Sequence, residues 1–240
     1  MNNSATVKQM LSATYRYRIE LHAHTHPVSG CSEVSPEELV EIYNKKRYDG
    51  IVVTNHFKLQ NGEKDAVLNG YMADYEAAKL AGEKCGMKVI LGAEIKFTEN
   101  SSEYLMYGVN REVLSVCYDY LDKGVEIFRR EVRLPESVFI QAHPFRNGMV
   151  LCNPEILDGI ETFNMHPHHN SRVGVAARYA AESGVDIKIA GSDFHHPNIG
   201  HEAVSALRCK TLPADSFELA QLLKKGDYIF EIGENSLVIM

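Results

Sequence analysis

The sequence has no uninterrupted apolar run of the length that a membrane helix needs, which is about 18 residues. The first fifteen residues also lack the apolar segment of a secretory signal peptide. The five cysteines are an odd number, are widely scattered and include no Cys-x-x-Cys pair. This usage argues against a disulfide framework and against a zinc ribbon. We therefore expect a cytoplasmic protein with reduced thiols and no membrane partner.

Positive charge is also in short supply. The 240 residues include 25 Lys and Arg against 32 Asp and Glu, a formal net charge of -7. Because nonspecific affinity for nucleic acid comes from Lys and Arg that neutralise phosphates, no duplex partner is expected. Histidine is abundant instead, with 11 residues, most of them in short clusters with Pro, Asp and Asn. No linker-like stretch and no internal repeat divides the chain, which predicts a single domain.

Short apolar segments alternate with helical segments along most of the chain. One helix is predicted from the capping box at residues 35–38 to about Tyr48, a second from Asn170 or Ser171 to Gly184, and a third from Asp215 to Gly226. Parallel buried strands are predicted at residues 16–21, 50–54, 88–93, 104–109, 138–142, 159–163 and 186–190. Alternation over about seven such units is typical of a barrel or a doubly wound sheet.

Residues that can bind metal follow five of these strands. The segments are Glu20-Leu21-His22-Ala23-His24, Thr54-Asn55-His56, Gly92-Ala93-Glu94, Gln141-Ala142-His143-Pro144 and Gly191-Ser192-Asp193-Phe194-His195. In a barrel of parallel strands the carboxyl ends open onto one face, so these side chains converge. A single His at a strand end is more often a hydrogen-bonded loop residue than a ligand, but the set of five favours a multinuclear metal site, in which Glu94 bridges two cations.

In the order H-x-H, T-[DN]-H, G-x-E, A-H-P and G-S-D-x-H, these motifs resemble those of the PHP (polymerase and histidinol phosphatase) superfamily from Arg16 to His196. The resemblance implies an α/β fold, a distorted (β/α)7 TIM-like barrel, with two to three divalent metal ions (Mn, Fe or Zn). It assigns His22, His24, Glu94 and Asp193 to one ion, Glu94 and His143 to a second, and His56 and His195 to a third. It also makes Asp193, Glu94 and His195 the catalytic residues.

The sequence departs from the family pattern at three positions. Asn55 replaces the Asp that often precedes the histidine of the second motif, which we interpret as a change behind the ligands. Cys31 stands where many members have Asp or His, so it is either a ligand or a small buried loop residue. Glu103 falls near a position where many members have His. Because Glu103 would precede its strand rather than follow it, ligation and a solvated loop carboxylate both remain open.

A second polar patch, residues 164–172, also follows a predicted strand. Arg172, His168 and His169 in this patch, together with Arg146, are candidates to bind substrate phosphate, because the guanidinium fork of arginine matches phosphate oxygens. The alternative is that they are helix-entry and solvent-loop residues. We interpret His26, His196 and His201 as structural or rim residues.

The family resemblance implies a hydrolase of phosphate esters, in which we expect a metal-activated water to be the nucleophile. The expected substrate is a small phosphorylated metabolite, a nucleotide or a short oligonucleotide. One alternative is an amidohydrolase-type C–N hydrolase, which also begins with H-x-H but normally lacks the D-x-H ending. Another is a metal-binding regulatory module without turnover. The predicted organisation is one domain over residues 1–240, with the core motifs in 16–196 and a C-terminal β/α extension in 197–240; the oligomeric state is left open.

Overall fold

The structure, a computed structural model, describes residues 3–197, 204–233 and 236–239. The strands are β1 (Tyr17–Ala23), β2 (Gly50–Val53), β3 (His56–Lys58), β4 (Lys88–Leu91), β5 (Ala93–Lys96), β6 (Glu103–Tyr107), β7 (Val138–Gln141), β8 (Gly159–Asn164), β9 (Ile187–Gly191), β10 (Ser205–Cys209), β11 (Tyr228–Ile232) and β12 (Ser236–Val238). The helices are α1 (Asn3–Thr14), α2 (Pro36–Lys45), α3 (Lys64–Cys85), α4 (Arg111–Tyr118), α5 (Val125–Glu131), α6 (Val173–Glu182) and α7 (Ser216–Lys225). His201 and part of the predicted extension lie outside the described residues.

The strands form two six-stranded sheets, in the orders β12-β11-β10-β1-β2-β4 and β3-β5-β6-β7-β8-β9. Only Gly92 separates β4 from β5 in the chain, and a parallel bridge between Ala23 and Phe194 brings the end of β1 beside the segment that follows β9. The result is a mixed α/β fold in which β1, β2 and β4 are parallel, as are β7, β8 and β9.

The prediction of parallel pairing is wrong for the predicted strand at 104–109. That strand is β6, and it runs antiparallel to both of its neighbours, β5 and β7. The short connection from β5 to β6, residues 97–102, turns the chain back directly, whereas residues 108–137, which include α4 and α5, connect β6 to β7. The start of β6 therefore lies at the same face as the ends of the parallel strands.

The predicted helix signals are confirmed with shifts at the helix ends. Ser35 caps α2 in a capping box with Glu38, although α2 ends at Lys45 rather than near Tyr48. Asp215 caps α7 through the backbone N–H groups of Phe217 and Glu218. The helix α6 begins at Val173, two to three residues after the predicted start.

Buried aliphatic and aromatic side chains pack between the sheets and the helices in three clusters. Four strands contribute entirely buried segments, β2, β6, β7 and the second half of β1. This packing fixes the strand ends from which the polar side chains project. In the described part of the chain, no helix combines the length and the apolar character that crossing a membrane requires.

Candidate metal centre

The metal-binding residues predicted at the strand ends converge at one face of the fold. His22 lies on β1, Glu94 on β5 and His56 at the start of β3, while His24, His143, Asp193 and His195 lie in the segments that follow β1, β7 and β9. All are buried except His56, whose side chain is 15 % exposed. The fold therefore brings together residues that are up to 173 positions apart, from His22 to His195.

Glu94 lies at the middle of this group. Its Oε1 is 3.0 Å from His143 Nε2 and 3.2 Å from His22 Nε2. Its Oε2 is 2.8 Å from His56 Nδ1 and 3.5 Å from His24 Nε2. Because each oxygen faces a different pair of histidines, the carboxylate has the arrangement needed to bridge two cations.

Asp193 provides a second carboxylate to the same group. Its Oδ1 is 3.3 Å from His24 Nε2, 3.4 Å from His22 Nε2 and 3.4 Å from His195 Nδ1. Its Oδ2 accepts hydrogen bonds from Arg146 Nη2 and from Asn164 Nδ2. One oxygen is thus held by the protein, and the other faces the histidines.

The donor atoms fit a cation. His22 Nε2, His24 Nε2, His56 Nδ1 and Glu94 Oε2 are buried and have no hydrogen-bond partner, although the ring nitrogens lie close to carboxylate oxygens. Buried polar atoms normally have partners, and divalent ions bound among these donors would satisfy them. The sets with donor atoms within 4.8 Å of one another are His24–His56–His195, His22–Glu94–His143, His22–His24–Asp193 and His56–Glu94–Glu103.

Glu103 joins the centre because of the direction of its strand. It is the first residue of β6, whose start lies at the face where the parallel strands end. Its Oε2 is 3.6 Å from His143 Nε2, and its Oε1 is 3.8 Å from His56 Nδ1 and 3.2 Å from Lys96 Nζ. The carboxylate is buried rather than solvated. Ligation by Glu103 stays a prediction, with the geometry to support it.

Cys31 lies at the exposed edge of the centre. Its Sγ is 3.2 Å from His56 Nε2. Burial opposes ionisation of the thiol, but hydrogen bonds with His195 and His56 lower the pKa of Cys31 to about 6. Within the described residues, the sulfur belongs to none of the donor sets that converge.

Opposite charges inside the centre perturb the protonation of its members. Burial lowers the pKa of His22, yet Glu161, Asp193 and Glu94 together raise it well above the usual range. Burial likewise opposes the charge of His56, but Glu94 and Cys31 raise its pKa to about 10. A cation bound at the same place would compete with protons for these ring nitrogens.

Two buried acidic residues behind the ligands were missed in the sequence analysis. Glu161, in the middle of β8, binds His22 Nδ1 at 2.8 Å and accepts a hydrogen bond from the backbone N–H of His143. Glu20, on β1, accepts from the backbone N–H groups of His22 and Ser192 at 3.0 Å each. The sequence offered one signal for both residues, an acidic residue inside a largely apolar strand. A carboxylate that is buried in this way needs hydrogen-bond partners, which marks it as part of a polar site.

Asn55 makes hydrogen bonds behind the candidate ligands, which is compatible with the role predicted for it. Its Oδ1 accepts from Ser29 Oγ at 2.8 Å, and Ser29 Oγ lies 3.1 Å from His24 Nδ1. Its Nδ2 donates to Thr25 Oγ1 and to Asp74 Oδ2 at 2.8 and 2.6 Å. The amide therefore connects a buried carboxylate on α3 to a ring of the centre.

A cavity of about 320 Å³ opens onto the centre. Its wall includes Arg146, His168 and His169, which were predicted to bind phosphate, and also His166 and His196. Arg172 is not part of this wall; it donates to the carbonyl of Phe145 and to Asn147 Oδ1, and so joins two loops at the rim. A larger cavity of about 440 Å³, lined by Asp158, Gly184 and Lys224 among others, contains none of the metal-binding residues.

Comparisons with known proteins agree with this arrangement. Residues 20–186 match the PHP domain. A PolC-type DNA polymerase III of Oceanobacillus iheyensis is 27% identical over 152 residues, which are 63% of this chain and only 9% of the polymerase.

Two solved structures share the fold at 16% sequence identity. A two-domain Bacteroides vulgatus protein containing a predicted PHP-like metal-dependent phosphoesterase aligns with a TM-score of 0.62, over 91% of this chain and 65% of that one. A Bifidobacterium adolescentis protein assigned as a metal-dependent phosphoesterase aligns with a TM-score of 0.50, over 74% and 87%.

Proposed function

Because this chain belongs to the PHP-domain family, we propose that it is a metal-dependent hydrolase of phosphate esters. The observation that carries the proposal is the group of buried ring nitrogens that, together with Glu94 Oε2, have no hydrogen-bond partner. The proposed site holds two to three divalent ions (Mn, Fe or Zn) through His22, His24, His56, Glu94, His143, Asp193 and His195, with Glu103 as a further ligand. Such ions supply Lewis acidity to a phosphoryl oxygen and lower the pKa of a bound water.

The protein residues have distinct roles in this proposal. Glu94 would hold the ions through both of its oxygens, which face different histidines, while Asp193 would use Oδ1 alone, because Arg146 and Asn164 hold its Oδ2. His195 donates from Nδ1 to the carbonyl of Asp193 at 2.9 Å, which orients its ring in the cavity wall. No side-chain nucleophile is required, since water attacks the phosphorus in line with the leaving oxygen.

The cavity favours a small substrate. A volume of about 320 Å³ is near the lower end of the range of about 300–1,000 Å³ that is typical of ligand sites. Arg146 lines this space, and its Nη2 is held by Asp193 and Asn164. Its Nε is buried without a hydrogen-bond partner. A guanidinium fixed in this way is suited to a phosphoryl oxygen of the substrate. His168 and His169 would bind the same anion at the rim.

We also assign the fold to the distorted (β/α)7 barrel that the family resemblance implies. The parallel bridge from Ala23 to Phe194 places β1 beside β9, and Gly92 joins β4 of one sheet to β5 of the other. Counting β4 and β5 as one continuous strand, the ring would be β1, β2, β4–β5, β6, β7, β8 and β9, with β6 reversed. Closure would place all of the ligands at one mouth.

The test is a hydrolysis assay of the Mn-, Fe- or Zn-reconstituted protein. The panel contains sugar phosphates, histidinol phosphate, nucleotides, a phosphodiester and short oligonucleotides, with amides and cyclic amides as the alternative substrates. We expect turnover of at least one phosphate ester that depends on added metal. Hydrolysis of amides alone would support the amidohydrolase alternative, and metal binding without any turnover would support a regulatory module.

Glu94→Gln is the decisive variant in this assay, with Glu182→Gln as its control. Glu182 is an exposed residue of α6 that forms an ion pair with Arg178 on the same helix, so its replacement should leave the centre intact. Removing the shared charge of Glu94 is expected to reduce kcat by on the order of a thousandfold or more, with an unchanged circular dichroism spectrum. Unchanged turnover in Glu94→Gln would contradict the proposed position of the centre.

A further inference from the structure

The ring of His24 has contacts on both of its nitrogens. Its Nε2 faces the carboxylates of the centre, at 3.3 Å from Asp193 Oδ1 and 3.5 Å from Glu94 Oε2. Its Nδ1 lies 3.1 Å from the buried Oγ of Ser29. A neutral imidazole has a proton on one nitrogen and a lone pair on the other. His24 can therefore bind a cation through Nε2 only when Nδ1 carries the proton.

The hydroxyl of Ser29 determines where this proton lies, because it has a single proton of its own. The backbone N–H of His56 donates to Ser29 Oγ at 2.9 Å, and the hydroxyl donates to Asn55 Oδ1 at 2.8 Å. Since the hydroxyl proton is used in this way, Ser29 Oγ can only accept from His24 Nδ1. The direction of the hydroxyl thus leaves the lone pair of the ring on Nε2.

The side-chain amide of Asn55 sets the direction of that hydroxyl. With the amide reversed, its NH2 group would face Ser29 Oγ, and the hydroxyl would have to donate to His24 Nδ1, which would leave the ring proton on Nε2. The observed orientation is held by the backbone N–H of Thr25, which donates to Oδ1 at 2.7 Å, and by Asp74 Oδ2, which accepts from Nδ2 at 2.6 Å. A reversed amide would place its NH2 group against the Thr25 N–H and its oxygen against the Asp74 carboxylate.

We propose that Asp74 is a positioning residue of the metal centre, which acts on the tautomer of His24 through Asn55 and Ser29. The inference rests on the proposed metal centre and deepens it. Asp74 lies on α3, outside the sequence motifs, and it belongs to none of the converging donor sets among the described residues. Its carboxylate can only accept hydrogen bonds, and its Oδ2 accepts from Asn55 Nδ2 and, at 2.5 Å, from Thr25 Oγ1. This acceptor keeps the amide in the orientation that directs the lone pair of His24 towards the centre.

The experiment measures zinc affinity in the full-length protein by competition with a chromogenic chelator. It compares wild type, Asp74→Asn, the exchange variant Asn55→Asp with Asp74→Asn, and the control Asp65→Asn. Asp65 lies in the first turn of the same helix, and its side chain is exposed and pairs with Arg111. The control therefore makes the same chemical change on α3 without a contact to Asn55.

The variants are expected to differ in a defined order. An amide at position 74 can donate as well as accept, so Asp74→Asn removes the constraint on the Asn55 amide, and zinc affinity should fall about 10-fold. In the exchange variant, the carboxylate at position 55 accepts from Ser29 whichever oxygen faces it, and the amide at position 74 donates in return. Its zinc affinity should therefore return close to that of wild type, and Asp65→Asn should equal wild type.

Nitrogen-15 NMR of the zinc-loaded, histidine-labelled wild type reads the tautomer directly and needs no stability in the variants. Two-bond proton–nitrogen spectra distinguish a protonated ring nitrogen from a metal-bound one, and His24→Gln identifies the signals of His24. We expect a protonated Nδ1 and a zinc-bound Nε2.

Three results would overturn the proposal. They are a His24 ring that binds zinc through Nδ1, a zinc affinity of Asp74→Asn equal to that of Asp65→Asn, and an exchange variant that binds zinc as weakly as Asp74→Asn. Zinc binding in the predicted order without phosphate-ester turnover would reject the proposed function while leaving the role of Asp74 intact.

Discussion

Asn55 has an amide where the family motif often has a carboxylate. This amide donates a hydrogen bond to a buried acid elsewhere in the chain, Asp74. Asn55 Nδ2 lies 2.6 Å from Asp74 Oδ2, and both side chains are buried. Aspartate at position 55, the residue expected from the family motif, would place a second carboxylate against Asp74. The single hydroxyl proton of Thr25, which already donates to Asp74 Oδ2, could not serve both carboxylates. The native pair therefore depends on one amide and one acid.

Asn55→Asp should reduce the free energy of unfolding by about 3 kcal/mol or more, because it leaves an uncompensated charge in a buried site. The double variant Asn55→Asp with Asp74→Asn exchanges the two groups and restores the donor, so most of this loss should be recovered. Urea denaturation of the three proteins measures both effects. A double variant as unstable as Asn55→Asp would show that the pair does not interact as described.

Glu161 leads to a second residue-scale prediction, on metal affinity. Its carboxylate accepts hydrogen bonds from three donors: His22 Nδ1, the backbone N–H of His143 and Asn164 Nδ2. An amide has only one acceptor oxygen, so Glu161→Gln should loosen at least one ligand. We expect metal affinity to fall about 10- to 100-fold with the fold retained. Isothermal titration with Mn or Zn measures it, and an affinity equal to that of Glu182→Gln would reject this role.

At the scale of elements, α3 contains two glycines in opposite environments. A Cβ on Gly70 would have nothing within 4 Å, whereas a Cβ on Gly82 would lie 2.6 Å from the carbonyl oxygen of Met87 and 2.7 Å from Val89. Gly70→Ala should therefore stabilise the protein by about 1 kcal/mol through helix propensity alone. Gly82→Ala should destabilise it, because α3 would have to move away from β4. Thermal unfolding measures both, and shifts of the same sign would contradict this packing.

The direction of β6 determined which parts of the site could be predicted from the sequence. Motif residues that follow a parallel strand, such as His143 and Asp193, were found because strand-end convergence needs no knowledge of the remaining fold. Glu103 precedes its strand, so its position could be judged only once β6 was seen to run antiparallel. Glu161 and Glu20 lie inside strands whose apolar neighbours dominated the pattern, and their partners come from other strands.

At the scale of the whole molecule, the centre joins the two sheets. His22 and the following His24 come from β1 in one sheet, while Glu94 and Glu103 come from β5 and β6 in the other. An ion bound to the folded chain alone stabilises it by mass action, by about 2.7 kcal/mol at a free concentration one hundred times the dissociation constant. Chelation should therefore lower the Tm, and Glu94→Gln should lose most of this metal-dependent difference. Equal Tm values with and without chelator would contradict the stabilisation of the folded chain by bound metal.

The central claim is that one folded chain binds more than one metal ion at this centre. Its most direct test is elemental analysis of the wild-type protein after reconstitution with Mn, Fe or Zn and removal of unbound metal. The donor sets around Glu94 and Asp193 predict at least about two equivalents per chain, because they supply more donors than one ion can use. Fewer than about one equivalent would contradict the multinuclear centre.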